Sequence, residues 1–316
     1  MSPDFKLKKA GIIFLAAISA ILLTELAVRY ILGFPTYGVE KKLLGIKSST
    51  ATSNIFYPHS KYYNIEDGYK VYKRNNLGLY GKDVLWDKSD TLIYVLGSSY
   101  LEAAQAPPDL MAVSIMQKQF DHDGKKYKVI NIARSGHDPY DLYFRLAWFE
   151  KQYGKGKIIL VLDDIYKEWL TRHPHPLSFS LSPQFGLIAS SLSTRLAIIV
   201  LNHSASAYII KQAAKSADIG ENAFLLEQTT VDSVNQIPSD LMICLDSYQK
   251  KYGDDFIVLS IMKSKNQNNK LGQYCSSKNI YFFSRPINKA SNKIGGKGHL
   301  TIAGNKLLGL ALYECL

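Results

Sequence analysis

Five apolar runs of strand length punctuate the chain after residue 90: TLIYVL at 91–96, YKVINI at 127–132, KIILVL at 157–162, FIVLSI at 256–261 and IYFFS at 280–284. They are apolar on both faces rather than alternating, which predicts strands buried between two layers. Apolar residues spaced three to four apart predict helices in DLMAVSIMQKQF (109–120), DPYDLYFRLAWFEKQY (138–153), DLMICLDSYQKKY (240–252) and TIAGNKLLGLALYEC (301–315). Strands alternating with helices predict a three-layer α/β/α domain around a five-stranded parallel sheet over residues 91–316.

The amino-terminal pattern is of another kind. AGIIFLAAISAILLTELAV, residues 10–28, carries one charge, Glu25, and spans ~28 Å as a helix, about one bilayer core. Residues 10–32 are therefore expected to form a transmembrane anchor. A cleaved signal peptide is the competing reading, suggested by the small residues of AISA, although the apolar run continues past them without a clean cleavage junction. Lys6, Lys8 and Lys9 put residues 1–9 in the cytoplasm and the body of a single-pass protein outside, in periplasm or extracellular space. Residues 33–90 show little periodicity and read as a membrane-proximal linker and cap. A long interval at about 166–240, containing HPHPLSFSLSPQFG and TRLAIIVLNHSASAYII, reads as an insertion, a lid or substrate-facing subdomain, with a buried helix near 194–210.

Charge and cysteines narrow the picture modestly. The net charge of +11 is spread along the chain with no nucleic-acid-binding motif beside it. For an exported domain, anionic glycans or lipid headgroups fit better than nucleic acid, and a solvated basic surface without a specific partner fits as well. Cys244, Cys275 and Cys315 are too few for a disulfide framework and allow at most one bridge. His173-Pro174-His175 lacks a nearby third ligand, so neither a metal nor a cofactor is expected.

In open parallel sheets ligands sit at the carboxyl ends of the strands. Polar residues cluster there: Ser98 and Ser99 after the first run, ARSGHD after the second, Asp163 and Asp164 after the third, and GGKGHLTIAGN beyond the fifth. Glu102 is expected near the start of the next helix, where the dipole favours it. Asp163 and Asp164 could cap the segment that follows them. His137 and Asp138 either line a pocket or cap a helix.

These blocks resemble those of the SGNH (GDSL-type) hydrolase superfamily, in order and spacing, across roughly residues 75–314. VLGSSYLEA is similar to its GDS block, VINIARSG to its second block, LVLDDIY to its GND block and GHLTIAGN to its histidine block. NNLGLYGKD is similar to the N-x-x-G lead-in of membrane-anchored members. The resemblance implies Ser99 as nucleophile, His299 as general base, and the amides of Ser99 and Gly136 as the oxyanion hole, with Ser98, Asp163, Asp164 and His137 near the pocket. Imidazole activates a hydroxyl that is otherwise a poor nucleophile, and amides stabilise the charge that develops on the acyl oxygen.

The chain departs from the pattern in three places, at four residues. Ser98 stands in place of the superfamily's aspartate. Asp163 stands in place of its asparagine, and an ionised carboxylate accepts hydrogen bonds but donates none. Gly296 and Lys297 occupy the positions of the acid that orients the histidine.

The expected function is an extracytoplasmic serine-dependent ester hydrolase or O-acyltransferase, acetyl in preference, acting on an acylated or acyl-accepting cell-envelope glycan. A membrane-bound acyl donor or a polysaccharide assembly protein would be its partner. The alternatives are a catalytically degenerate glycan-binding or assembly subunit, and a lipase beside its own membrane.

Overall fold

The computed structural model describes residues 3–31, 39–46, 52–64, 70–164, 185–187, 204, 206, 237–287, 292–293 and 299–316. Helix α1 (Pro3–Leu26) runs into a π turn at Ala27–Ile31. Its segment Gly11–Ile31, 21 residues, is long and apolar enough to cross a membrane, and no part of it is buried in the protein. By length and composition it also fits a signal sequence. Glu25, the one charge within the apolar run, accepts hydrogen bonds from the Arg29 guanidinium at 2.9 Å, the Ser204 hydroxyl at 2.9 Å and the Ser206 amide at 3.0 Å.

The stretch that lacks periodicity in sequence holds four short strands: β1 (Val39–Ile46), β2 (Thr52–Phe56), β3 (Lys61–Asn64) and β4 (Lys70–Lys73). They pair as two antiparallel ribbons, β1 with β2 and β3 with β4. After them the Asn75 side chain organises a tight loop. Its Oδ1 accepts from the amides of Leu77 and Leu79, and its Nδ2 donates to the Lys82 carbonyl. Gly78, at φ +72°, passes so close to the Phe56 carbonyl that a Cβ there would lie 2.1 Å from its oxygen. No side chain fits that approach.

The α/β body follows in the predicted order: β5 (Thr91–Leu96), the short α2 (Ser99–Glu102), α3 (Ala112–His122), β6 (Tyr127–Asn131), α4 (Pro139–Tyr153) and β7 (Lys157–Leu162). A three-residue strand β8 (Phe185–Leu187) pairs with β1. Then come α5 (Ser239–Tyr252), β9 (Phe256–Ser260), α6 (Lys265–Ser277), β10 (Tyr281–Ser284) and α7 (Ile302–Glu314). The sheet is parallel throughout, in the order β10-β9-β7-β5-β6, with Tyr94 paired to Ile130 on one side and Ile158 on the other.

Alternation along the strands divides the core in two. Leu92, Tyr94 and Leu96 face Leu146 and Phe149 of α4, Leu245 and Tyr248 of α5 and Leu271 of α6. Ile93 and Val95 face Met116 and Phe120 of α3 and Leu308 and Leu312 of α7. The result is the expected three-layer arrangement with a five-stranded parallel sheet.

Residues 173–175 and the apolar stretch at 194–210, apart from Ser204 and Ser206, lie outside the described residues. Cys244, Cys275 and Cys315 are all free and buried, so the single bridge that the sequence permits is not made. Each thiol sits in a different helix or at its end, within the core. Burial pushes the Cys275 and Cys315 thiols up to about 12, and Cys244 is raised as well.

Candidate functional site

The carboxyl end of β5 builds the first wall. Gly97 leaves the strand so tightly that a Cβ would lie 3.0 Å from Leu101. Ser98 caps α2, accepting from the Tyr100 amide at 3.3 Å, and its hydroxyl donates to the Asp163 carboxylate after β7. Both residues are buried. Ser99 differs: it is partly exposed, and its hydroxyl has no hydrogen-bond partner among the described residues. As the first residue of α2 it also has an amide with no intrahelical acceptor. One serine is thus committed to holding the turn, and the other presents both its hydroxyl and its amide.

The second wall is the loop after β6. Arg134, Ser135, Gly136 and His137 form a turn closed by the His137 amide on the Arg134 carbonyl at 3.2 Å. Gly136, third in the turn, has φ +80°, which suits a type II turn and favours glycine there. Its amide is uncommitted among the described residues.

Glu102 fixes this loop. One carboxylate oxygen accepts from the Arg134 guanidinium at 2.8 Å, and the other accepts from the Ser135 amide at 2.8 Å. Glu102 is therefore bound to the neighbouring loop, a role beyond any effect of the helix dipole. The loop is anchored again by the Arg134 amide on the Gly97 carbonyl and by Asn131, whose Nδ2 donates to the Leu101 carbonyl at 3.0 Å. Behind it, the Phe56 ring lies between two guanidiniums, 3.7 Å from Arg74 and 4.7 Å from Arg134. The Asn75 loop thus reaches the site through Phe56.

His137 and Asp138 separate in role. Asp138 caps α4 by accepting from the Asp141 amide at 2.9 Å, with Pro139 in the first turn. His137 is held down to about 3 by burial and by the Arg145 and Arg134 guanidiniums. It is neutral at ordinary pH and is a poor proton acceptor there. Arg145 itself is pushed down to about 9 by burial, then by Arg134, and donates to the Ile132 carbonyl.

At the third strand end, Asp164 accepts from the Lys263 amide at 3.0 Å, tying β7 to the segment after β9. The segment that Asp163 and Asp164 would cap, 165–184, lies outside the described residues.

The fourth wall surrounds His299. Lys293 and Leu300 form an antiparallel bridge, and the Thr301 amide donates to the Asn292 carbonyl at 2.9 Å. Thr301 caps α7 through the Gly304 amide. Asn305, fully buried, donates to the carbonyls of Leu300 and Thr301 and accepts from the Ala112 amide at 3.2 Å. It therefore locks the histidine loop to the start of α3. The His299 ring meets Tyr100 edge-on, with centroids 6.0 Å apart. Tyr100 follows Ser99 directly, so the His299 ring lies against the residue next to the serine, at the mouth of the candidate site. The Tyr100 hydroxyl is pushed up to about 12, first by burial and then by Asp163 and Asp164.

Of the residues that the sequence patterns single out, Ser98 and Ser99 follow β5, Gly136 lies in the loop after β6, Asp163 and Asp164 follow β7, and His299 stands at the entry to α7. Gly296 and Lys297 fall outside the described residues. Four contributors escaped those patterns: Arg134, Tyr100, Lys293 and Asn305. Tyr100, Arg134 and Asn305 lie inside the quoted blocks, whereas Lys293 lies outside them and carries no signal in sequence. Among the described residues no group of three or more His, Cys, Asp or Glu is placed to hold a metal.

No protein-family model matches the chain, and no curated protein is significantly similar to it. The chain shows partial similarity to several solved structures. TesA is 13% identical, covering 72% of this chain and 98% of its own at a TM-score of 0.41. The psychrotrophic esterase EstA from Pseudoalteromonas sp. is 12% identical, with 72% and 96% covered and a TM-score of 0.41. A mutant of Axe2, an acetyl-xylooligosaccharide esterase from Geobacillus Stearmophilus, is 12% identical, with 73% and 95% covered and a TM-score of 0.40.

Proposed function

We propose that this chain is an SGNH-like serine-dependent ester hydrolase or O-acyltransferase, exported and tethered by its amino-terminal helix, that acts on acyl groups, acetyl in preference, of a cell-envelope polysaccharide. The observation that carries this reading is the contrast between the two serines: Ser98 is buried and bonded to Asp163, whereas among the described residues neither the hydroxyl nor the amide of Ser99, nor the amide of Gly136, has a partner.

In this reading the Ser99 hydroxyl attacks the acyl carbonyl while His299 takes its proton. The amides of Ser99 and Gly136 receive the negative charge of the tetrahedral intermediate. His299 then protonates the departing alcohol, and water or a sugar hydroxyl completes turnover by taking the acyl group from Ser99. The tether would hold the site near a membrane-bound acyl donor or a polysaccharide assembly partner. The exported topology rests on the lysines before the helix.

Asp163 takes a structural place beside Ser98 in this reading. The resembled pattern has a carboxylate at position 98 and an amide at position 163. Here the carboxylate is at 163 and a hydroxyl at 98, and the two still meet. The pair keeps one acceptor and one donor with the carboxylate exchanged between strand ends. As an acceptor committed to Ser98, Asp163 belongs to the scaffold of the turn rather than to the oxyanion hole.

A degenerate, glycan-binding role is the second reading. It is favoured by the carboxylate at position 163, where a donor would serve catalysis, and by Gly296 and Lys297 where an orienting acid would stand. Turnover of acetylated polysaccharides and acetylated model esters by the full-length protein, lost in Ser99→Ala and in His299→Ala, is expected from the enzyme. Glycan binding that survives both substitutions with no turnover would establish the second reading instead.

A further inference from the structure

Lys293 is only 8% exposed, yet its ammonium has no carboxylate within ion-pairing distance among the described residues. Among the described residues its hydrogen bond and cation–π contact are both with Tyr100: the hydroxyl oxygen at 3.4 Å, and the ring face with its centroid 4.9 Å away. A lysine ammonium carries three donors, and one long bond to a neutral phenol leaves two unspent. The Tyr100 oxygen accepts from Lys293, so its own O–H also lacks an acceptor among the described residues. Among the described residues the two side chains therefore gather three unused donors.

Burying a charge in this state is expensive without a partner. The backbone does not let the side chain escape easily. Lys293 is bridged to Leu300, its neighbour Asn292 accepts from Thr301, and Asn305 ties that loop to α3. Burial and the charge of Lys263 lower the basicity of Lys293, while Asp164 and Asp163 act in the opposite sense. The pair adjoins the candidate site, since Tyr100 follows Ser99 in the chain and its ring meets His299.

We propose that Lys293 and Tyr100 form an anion-binding pair at this mouth, which takes a carboxylate or phosphate oxygen of the ligand. The proposal rests on the reading of the mouth as the place where ligand binds. It narrows the ligand to one with a negative charge near the reacting ester, either an acidic sugar or a phosphorylated one.

The test is calorimetric titration of the full-length protein in detergent micelles with glucuronate and with inorganic phosphate, and with glucose as the neutral control. At least one anion is expected to bind saturably and glucose is not. Lys293→Met is expected to weaken the anion about tenfold, the loss of a charge-assisted hydrogen bond. Lys293→Arg is expected to retain binding, and Ser99→Ala to leave it unchanged. Glucuronate alone would identify a carboxylate ligand and phosphate alone a phosphorylated one.

If Lys293→Met does not melt cooperatively, Tyr100→Phe carries the test, with a loss of about threefold expected from a neutral hydrogen bond. No saturable anion binding by the wild type, or equal affinity in the folded variants, overturns the proposal. Anion binding without any serine reactivity would leave this site standing and remove the acyl-transfer reading. Serine reactivity with unchanged anion affinity in Lys293→Met would do the reverse.

Discussion

Ser98 and Asp163, 65 residues apart in sequence, are joined by a hydrogen bond in which the serine hydroxyl donates to the carboxylate. Each is buried, and each ends a central strand of the sheet. The bond ties the turn that presents Ser99 to the end of β7. Replacing Asp163 by Asn keeps an acceptor for Ser98 and is expected to cost under about 1 kcal/mol, while Asp163→Ala strands a buried hydroxyl and is expected to cost ~1–3 kcal/mol. Chemical denaturation of the two variants checks the order. Equal losses would show that the bond does not hold the turn.

Glu102 should matter more. Its carboxylate is buried and accepts from both Arg134 and the Ser135 amide. Removing it leaves the Arg134 guanidinium, itself largely buried, without its counter-charge. Glu102→Ala is expected to destabilise by roughly 3–5 kcal/mol. Glu102→Gln keeps an acceptor for Ser135 and is expected to lose less. If the Gly136 amide is an oxyanion donor, Glu102→Gln should lower kcat with little change in KM, because the clamp acts on that loop. An unchanged kcat would detach Glu102 from the chemistry.

Stability should depend on pH through His137. In the folded protein it titrates at about 3, whereas an unfolded histidine titrates near ~6.5. Between these values the unfolded state binds the extra proton, so stability rises with pH, by at most ~1.4 kcal/mol per pH unit. Above ~6.5 both states are neutral, and below about 3 both are protonated, so the histidine adds no slope in either range. Denaturation curves from pH 7 to pH 4 should show this loss, and His137→Asn should flatten it. The same slope in both proteins would place the acid sensitivity elsewhere.

The cysteines should be chemically quiet. All three are buried and free, with thiols raised by burial. Reductant is expected to leave the melting temperature unchanged, and a thiol reagent should titrate the three residues only after denaturation. Rapid reaction of any of them in the folded protein would contradict the packing of α5, α6 or the end of α7.

Most of the sheet was legible because its strands are apolar on both faces and fall between helices of clear period. The predicted 91–96 and 157–162 coincide with β5 and β7, and the other three strands differ by a residue at an end. Helix α6 was missed. Its sequence, KNQNNKLGQYCSS, buries only Asn268, Leu271 and Cys275, too few apolar positions to show a period. The strands β1 to β4 were missed as well, because LYS- and TYR-rich segments such as KYYN and KVYK are short ribbons whose pairing, rather than pattern, defines them.

At the site, strand-end serines, glycine and histidine could be read from motif spacing. Lys293 could not be, because it meets Tyr100 across 193 residues of sequence and only folding brings them together. The same holds for Asn305, whose bond to the Ala112 amide crosses an equal separation in chain order.

The most direct test of the central claim is covalent labelling of the folded full-length protein with a fluorophosphonate serine probe, with the adduct located by mass spectrometry. The account predicts a single adduct on Ser99 that disappears in His299→Ala, while Ser98 stays unmodified. Labelling at Ser98, or a folded protein that takes no label at all, would contradict it.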